Sequence, residues 1–253
     1  MYFGRVVGLG LLEDGKPFAV YGISGRSEAS KAREAKIVKG EILRVRIEPK
    51  GEIFGGNPDL LLYDAMVLGP ERAVVSNGKH GEDIYERLEK RDAKVVITMG
   101  KRSGKQFLHI EKQTKKSPQL GLQLGLDSIL EEWDAEPDAY RTPRIAGVIE
   151  MDETKKFLLG IAAEKGITTV SFSNPKGGKA YLVTTYLGKE GSYDVVSPKG
   201  FPETFESFFQ LKLPGKTPQE LADNLYEWLD EKIRVCTAGA VWDGSWKAAV
   251  RNG

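Results

Sequence analysis

The chain has 253 residues, with 37 lysines and arginines against 36 aspartates and glutamates, so its formal net charge of +1 gives no overall field to attract nucleic acid or a membrane surface. No stretch approaches the apolar run of about 18 residues that a transmembrane helix needs, and the opening Met1-Tyr2-Phe3-Gly4-Arg5-Val6 reads as a first strand in place of a signal peptide. One cysteine, Cys236, excludes an internal disulfide and points to a reducing cytoplasm; with only His80 and His109 beside it a structural zinc site lacks ligands, while composition leaves carboxylate-bound magnesium open.

The length accommodates one domain or two. Residues 1–76 read mostly as strand and turn. Residues 6–12 are apolar with two glycines, and residues 17–23 alternate. Ile42, Val45 and Ile47 lie among Arg44, Arg46 and Glu48, a half-buried strand with a charged outer face. Residues 60–68 and 73–75 continue the pattern around a Gly69-Pro70 turn. Ile84 and Leu88, four apart, predict a short helix over 83–90. Ser117-Pro118 opens a stronger one, Ser as N-cap and Pro at the first helical position. Its apolar stripe is Leu122, Leu126, Ile129 and Trp133, its glycines Gly121 and Gly125 would let it approach a sheet, and Pro137 ends it. Strands resume over 145–149, 157–162, 168–172 and 181–186. Thr217-Pro218-Gln219-Glu220 is a capping box before a helix burying Leu221, Leu225, Trp228, Leu229 and Ile233. There is no repeat or low-complexity tract. Strands outnumber helices at hairpin-like spacing, which predicts antiparallel sheets covered by a few helices.

Three polar clusters interrupt these strands: Ser24-Gly25-Arg26-Ser27, Ser76-Asn77-Gly78-Lys79-His80 and Arg141-Thr142-Pro143-Arg144. Together they offer guanidinium groups, an amide and hydroxyls, a set suited to a planar anionic ligand such as a nucleotide. Arg26 beside its glycine, with Lys31 and Arg33 just beyond, can meet a phosphate, or the segment is a solvated loop. Asn77-Gly78 is also the signature of a type I′ hairpin turn. His80, with a reference pKa near neutrality, reads first as an inert surface histidine. Tyr63 and Asp64 are adjacent on a strand, so one faces inward and the other outward. Asp134 and Glu136 follow a helix C-terminus, where the helix dipole disfavours carboxylates. Residues 101–116 form a basic strip with Arg102, Lys105, Lys112 and Lys115, read as a solvated hairpin; RNA binding is its weakly signalled alternative.

In order and spacing these segments resemble the archaeal-type inosine monophosphate (IMP) cyclohydrolase family. The resemblance rests on Met1-Tyr2-x-Gly4-Arg5, Tyr21-x-x-Ser24-x-Arg26-Ser27, Tyr63, Ala73-Val74-Val75-Ser76-Asn77-Gly78-x-His80 and Thr142-Pro143-Arg144-Ile145-Ala146. A weaker echo is Thr237-Ala238-Gly239-Ala240 with Trp242-Asp243-Gly244. It implies an α+β, four-layer αββα fold of the N-terminal-nucleophile-hydrolase type, two antiparallel sheets between helical layers, working without an N-terminal nucleophile. Met1 followed by Tyr2 agrees with that. A single domain over 1–253 is expected, with an insertion at about 90–118. The chain departs from the family pattern at Gly22, where the family carries Arg.

The implied reaction closes the formamide of 5-formamidoimidazole-4-carboxamide ribonucleotide onto its neighbouring carboxamide, giving IMP and water. By position, Tyr63 and Glu136 are the expected catalytic residues, and Arg26, Lys31, Arg33, Asn77 and Arg144 the substrate-binding ones. Arg144 either contacts an anion or pairs with Asp134. No cofactor or metal is expected, nor a nucleic-acid or membrane partner, and a cytoplasmic homo-oligomer is. The competing classes are another amidohydrolase of the same fold, a silent nucleotide-binding paralogue and an RNA-binding protein.

Overall fold

A computed structural model describes residues 2–51, 58–90, 98–102, 105–109, 118–152, 155–164, 166–173, 175–186 and 208–253. Its main body is two antiparallel sheets. The first holds β1 (Arg5–Leu11), β2 (Pro17–Ser24), β12 (Lys179–Thr184), β13 (Phe208–Lys212), β14 (Arg234–Trp242) and β15 (Trp246–Asn252), in the spatial order β13-β12-β1-β2-β14-β15. The second holds β3 (Arg33–Val38), β4 (Leu43–Pro49), β5 (Tyr63–Leu68), β6 (Arg72–Ser76), β9 (Arg144–Glu150), β10 (Lys156–Ala163) and β11 (Gly166–Ser173), in the order β11-β10-β9-β6-β5-β4-β3. The hairpins close on turn residues that geometry demands. Between β1 and β2, Gly15 takes φ +82°, and between β14 and β15, Gly244 takes φ +74°, values that L side chains resist.

Alternation along each strand sorts the side chains into layers. Val7, Leu9, Tyr21 and Ile23 of the first sheet meet Ile47, Met66, Val75, Ile145 and Leu159 of the second in a central core. On the far side of the first sheet, Val6, Val20, Leu182 and Val241 pack under Leu221 and Leu225 of α5 (Pro218–Trp228). On the far side of the second, Val67, Val74, Val148 and Leu158 pack under Ile84 and Leu88 of α3 (His80–Glu89) and Leu126, Ile129 and Leu130 of α4 (Pro118–Trp133). The order is helix, sheet, sheet, helices. Both faces of the central strands are covered, which is why β1 reads as a nearly continuous apolar run and why the alternation expected over β2 does not leave an exposed face.

The start signal of α5 holds, while the helix ends at Trp228 so that Leu229 and Ile233 lie beyond it, and the expected Ser117 cap of α4 lies outside the described residues. Thr217 Oγ1 accepts from Glu220 N and the Glu220 carboxylate reaches back to Thr217 N, completing the capping box. Four other expectations change. Residues 60–62 are not strand: the short α2 (Pro58–Leu61) runs up to them and the strand begins at Tyr63, because an apolar run alone does not distinguish the two. Asn77-Gly78 is not a hairpin turn. Neither residue adopts the positive φ a type I′ turn requires, and the chain passes from β6 into α3. Gly121 does not bring α4 to the sheet, since a Cβ there would meet nothing within 4 Å. The small residue is on the sheet: a Cβ at Gly160 would fall 2.6 Å from Leu130 Cδ1. Finally β3, β13, β14 and β15 are strands that the apolar pattern left unread.

The basic strip does contain a hairpin, β7 (Thr98–Arg102) paired with β8 (Lys105–His109) from Thr98↔His109 to Arg102↔Lys105. Its remaining residues, 103–104 and 110–116, lie outside the described residues. No described helix is long and apolar enough to cross a membrane.

Candidate active site

The inner faces of the two sheets carry more than apolar side chains. Arg5 shares the inner face of β1 with Val7 and Leu9, and Tyr21 that of β2 with Ile23. Across the core, Tyr63 faces inward while Asp64 faces outward to Arg44 and Arg46. The Tyr21 and Tyr63 phenol oxygens are 2.5 Å apart, their rings nearly perpendicular. Arg5 lies close enough to both phenols and to Glu136 to feel their charge. Arg33, the first residue of β3, is fully buried and faces the same two phenols; burial, then Arg5, lowers its pKa. Its Nε donates to Ser30 O at 3.0 Å.

Glu136 reaches this region from the segment after α4. Asp134, at φ +54°, turns the chain out of the helix, its carboxylate held by Ala135 N and Arg141, and Glu136 N donates to Thr142 O at 2.8 Å. The Glu136 side chain is 2% exposed. Burial raises its pKa from 4.5 to about 7, against the pull of Arg5, Arg144 and Arg33 and with a small push from Asp138. A buried carboxyl at such a value exchanges a proton at neutral pH.

Two of the three polar clusters meet around it, and the third connects to them through Tyr2 and Tyr186. Asn77 Oδ1 accepts from Ile145 N at 2.7 Å, and its Nδ2 donates to Pro143 O at 3.0 Å and Glu136 Oε1 at 3.4 Å. These bonds override the local turn preference of Asn-Gly, and they make Asn77 a support for Glu136. Thr142 Oγ1 donates to Asp138 at 2.6 Å and so accepts from the Tyr186 hydroxyl at 2.8 Å. Tyr186 stacks on Tyr2, and the exposed Arg26 lies 4.1 Å over the Tyr2 ring. Arg144, on the helix-facing side of β9, lies 4.9 Å from the Trp133 ring centre. Asp134 pairs with Arg141, leaving Arg144 without that partner. His80 is buried and not a surface residue. Burial, then Arg144, lowers its pKa to about 3, so it is neutral, and its Nε2–H donates to Ile145 O at 3.1 Å. Lys31 ends the short α1 (Glu28–Lys31) on the surface, 3.8 Å from Glu28; of the two basic residues past Ser27, Arg33 is the one beside the phenols.

Electrostatic balance sets this end of the sandwich apart. Arg44, Arg46, Arg72, Arg87, Arg141 and Arg234 each have a carboxylate within 4 Å. Arg5, Arg33 and Arg144 are buried and have none among the described residues. Arg5 Nε, Arg33 Nη2, Arg144 Nε and Ser24 Oγ also lack hydrogen-bond partners there. Burying a cation without a counter-charge is costly, and an anion supplies what is missing. By contrast, a groove of about 440 Å³ along β4 and β5, which Tyr63 also lines, sets the two cations Arg46 and Lys79 against the three carboxylates Glu48, Asp64 and Glu82, so its charge calls for no further anion.

The family model described as IMP cyclohydrolase-like protein matches residues 2–103 and 91–245. The chain belongs to the IMP cyclohydrolase-like family. The IMP cyclohydrolase of Methanocaldococcus jannaschii is 27% identical over 243 residues, 96% of this chain and 95% of its own length. That of Thermococcus kodakarensis is 28% identical over 240 residues, covering 95% and 92%. That of Methanopyrus kandleri is 29% identical over 203 residues, covering 79% and 80%. At position 22, where the resemblance implied an arginine, this chain has Gly22. The structure turns residue 22 to the outer face of β2, where a Cβ would be 3.3 Å from Leu225 and 3.4 Å from Leu229 of the α5 region. The departure therefore lies away from the phenols.

Sequence reasoning missed Arg5 and Tyr21 as members of the polar group. The available signal was register: Arg5 has the parity of Val7 and Leu9, and an arginine on the inner face of a buried strand has no solvent to reach.

Proposed function

We propose that the chain is an IMP cyclohydrolase that closes 5-formamidoimidazole-4-carboxamide ribonucleotide to IMP and water at the Arg5–Tyr63–Glu136 end of the sandwich. The observation that carries the reading is the set of buried arginines without carboxylates, next to a buried carboxyl that titrates near pH 7. The family match and relatives of that name support it. In the reaction the carboxamide nitrogen attacks the formyl carbon. The carboxamide and formamide nitrogens each give up one proton, and the formyl oxygen takes both and leaves as water. Holding the two groups face to face supplies much of the acceleration. Glu136 takes the carboxamide proton, Tyr63 donates to the formyl oxygen, and Arg33 with Arg5 and Arg26 holds the phosphate. Arg144 supports Glu136 electrostatically and Asn77 positions it. This scheme requires no cofactor.

The layer order supports an N-terminal-nucleophile-hydrolase-like fold, with the site at the start of β1. The two family segments together run from residue 2 to residue 245, which supports one domain, and an insertion at about 90–118 belongs to the same reading. A cytoplasmic homo-oligomer fits the same reading. The test is conversion of the formamido ribonucleotide by the purified protein, followed by ultraviolet absorbance. Formation of IMP well above the uncatalysed rate is expected. Folded protein that binds IMP without turnover would make it a silent nucleotide-binding relative.

A further inference from the structure

We propose that Tyr21 is a positioning residue for the cyclisation: it donates its phenol proton to Tyr63 and thereby aims the Tyr63 proton at the substrate. The inference rests on Tyr63 being the proton donor in the reaction above. Two phenol oxygens 2.5 Å apart share one proton between them, and only one of them can be the donor. If Tyr63 donates to Tyr21, its proton is occupied and it has nothing to give the formyl oxygen.

The surroundings decide the direction. Tyr21 is 0% exposed. Its polar neighbours other than Tyr63 are the guanidinium groups of Arg5 and Arg33, which have donors and no acceptor. The Tyr63 oxygen is therefore the one acceptor in hydrogen-bond reach of the Tyr21 proton among the described residues. A buried hydroxyl keeps its proton paired, so Tyr21 donates. Tyr63 is 5% exposed, and Arg5 faces it together with Glu136. With its oxygen accepting from Tyr21, its own hydrogen is left free for another acceptor. The donor on its oxygen also stabilises the charge that develops when Tyr63 transfers its proton.

The experiment compares wild type, Tyr21→Phe, Tyr63→Phe and the double variant in steady-state conversion of the formamido ribonucleotide from pH 6 to pH 10.5. Phe at 21 keeps the ring in the central core. Tyr21→Phe is expected to lower kcat tenfold or more with KM within about twofold, because Tyr63 loses the donor that aims its proton at the substrate. On the Tyr63→Phe background the Tyr21→Phe change is expected to cost nothing further. Wild-type turnover combined with an undiminished kcat in Tyr21→Phe overturns the inference, as does an equal extra loss on the Tyr63→Phe background. Absence of wild-type turnover instead overturns the functional reading on which it rests. Should Tyr21→Phe fail to fold, 3-fluorotyrosine at position 21 keeps the shape and makes a stronger donor; a change in kcat with KM held is then expected, and an unchanged kcat refutes the role.

Discussion

At the scale of single residues, the deciding contrast is between arginines that have a carboxylate and arginines that do not. It separates Arg33 from Lys31 where sequence left both open. Arg33→Met is expected to weaken IMP binding roughly ten- to a hundredfold, the worth of about 1.5–3 kcal/mol for a charge-assisted bond. Removing a buried unpaired charge should leave thermal stability undiminished. Lys31→Ala should change neither; calorimetric titration and thermal melts of both variants check this. Glu136 makes a second test, through pH. Its folded pKa of about 7 lies above its ordinary 4.5, so its contribution to stability is fully present below pH 4.5 and is lost as pH rises through 7. Glu136→Gln and wild type should converge in urea denaturation near pH 4.5. The variant should be the more stable at pH 8.5, by up to roughly 3 kcal/mol. Its kcat should fall at least a hundredfold, and the rise of the wild-type rate through pH 7 should vanish. Parallel stability curves would mean that Glu136 does not titrate in the folded protein. Tyr63 and Glu136 were legible as candidates through the family resemblance, Glu136 also because a carboxylate after a helix C-terminus runs against the helix dipole. Arg5 and Tyr21 were not, because each looks ordinary until the register shows which way it points.

At the scale of elements, capped helices were legible and strands of small residues were not. The α5 capping box is complete in the sequence, and Thr217→Ala is expected to cost about 1 kcal/mol in denaturant unfolding. β14 went unread because Thr237-Ala238-Gly239-Ala240 has little intrinsic strand preference. The structure shows why those residues are small. A Cβ at Gly239 would fall 2.3 Å from Pro218 O and 2.9 Å from Leu221 Cβ, so the start of α5 lies directly on the strand. Backbone cannot rotate away as a side chain can. Gly239→Ala is expected to destabilise by about 1–3 kcal/mol in the same measurement, overwhelming the smaller gain from a stiffer unfolded chain. Turn chemistry misled at Asn77-Gly78, where three tertiary hydrogen bonds of the amide outweigh a two-residue preference.

At the scale of the whole molecule, the layer order follows from strands apolar on both faces, which need cover on both sides. The family was legible from the order of short motifs spread over the chain, none of them decisive alone. Those motifs are far apart in sequence because the polar end of the sandwich gathers the start of β1, the end of β6 and the start of β9. The β7–β8 hairpin belongs to neither large sheet. Replacing residues 102–116 with a short Gly-Ser link should leave turnover largely in place, since surface insertions are cheap to shorten. Loss of activity with unchanged size-exclusion behaviour would instead tie the segment to the site. The most direct test of the whole account is a crystal structure with IMP bound. The account predicts the phosphate on Arg33 and its neighbouring arginines, with the N1–C2 edge of the purine within hydrogen-bond reach of Glu136 and Tyr63. IMP lodged in the groove along β4 and β5 between Arg46 and Lys79, with the Tyr21–Tyr63 pair untouched, would contradict it.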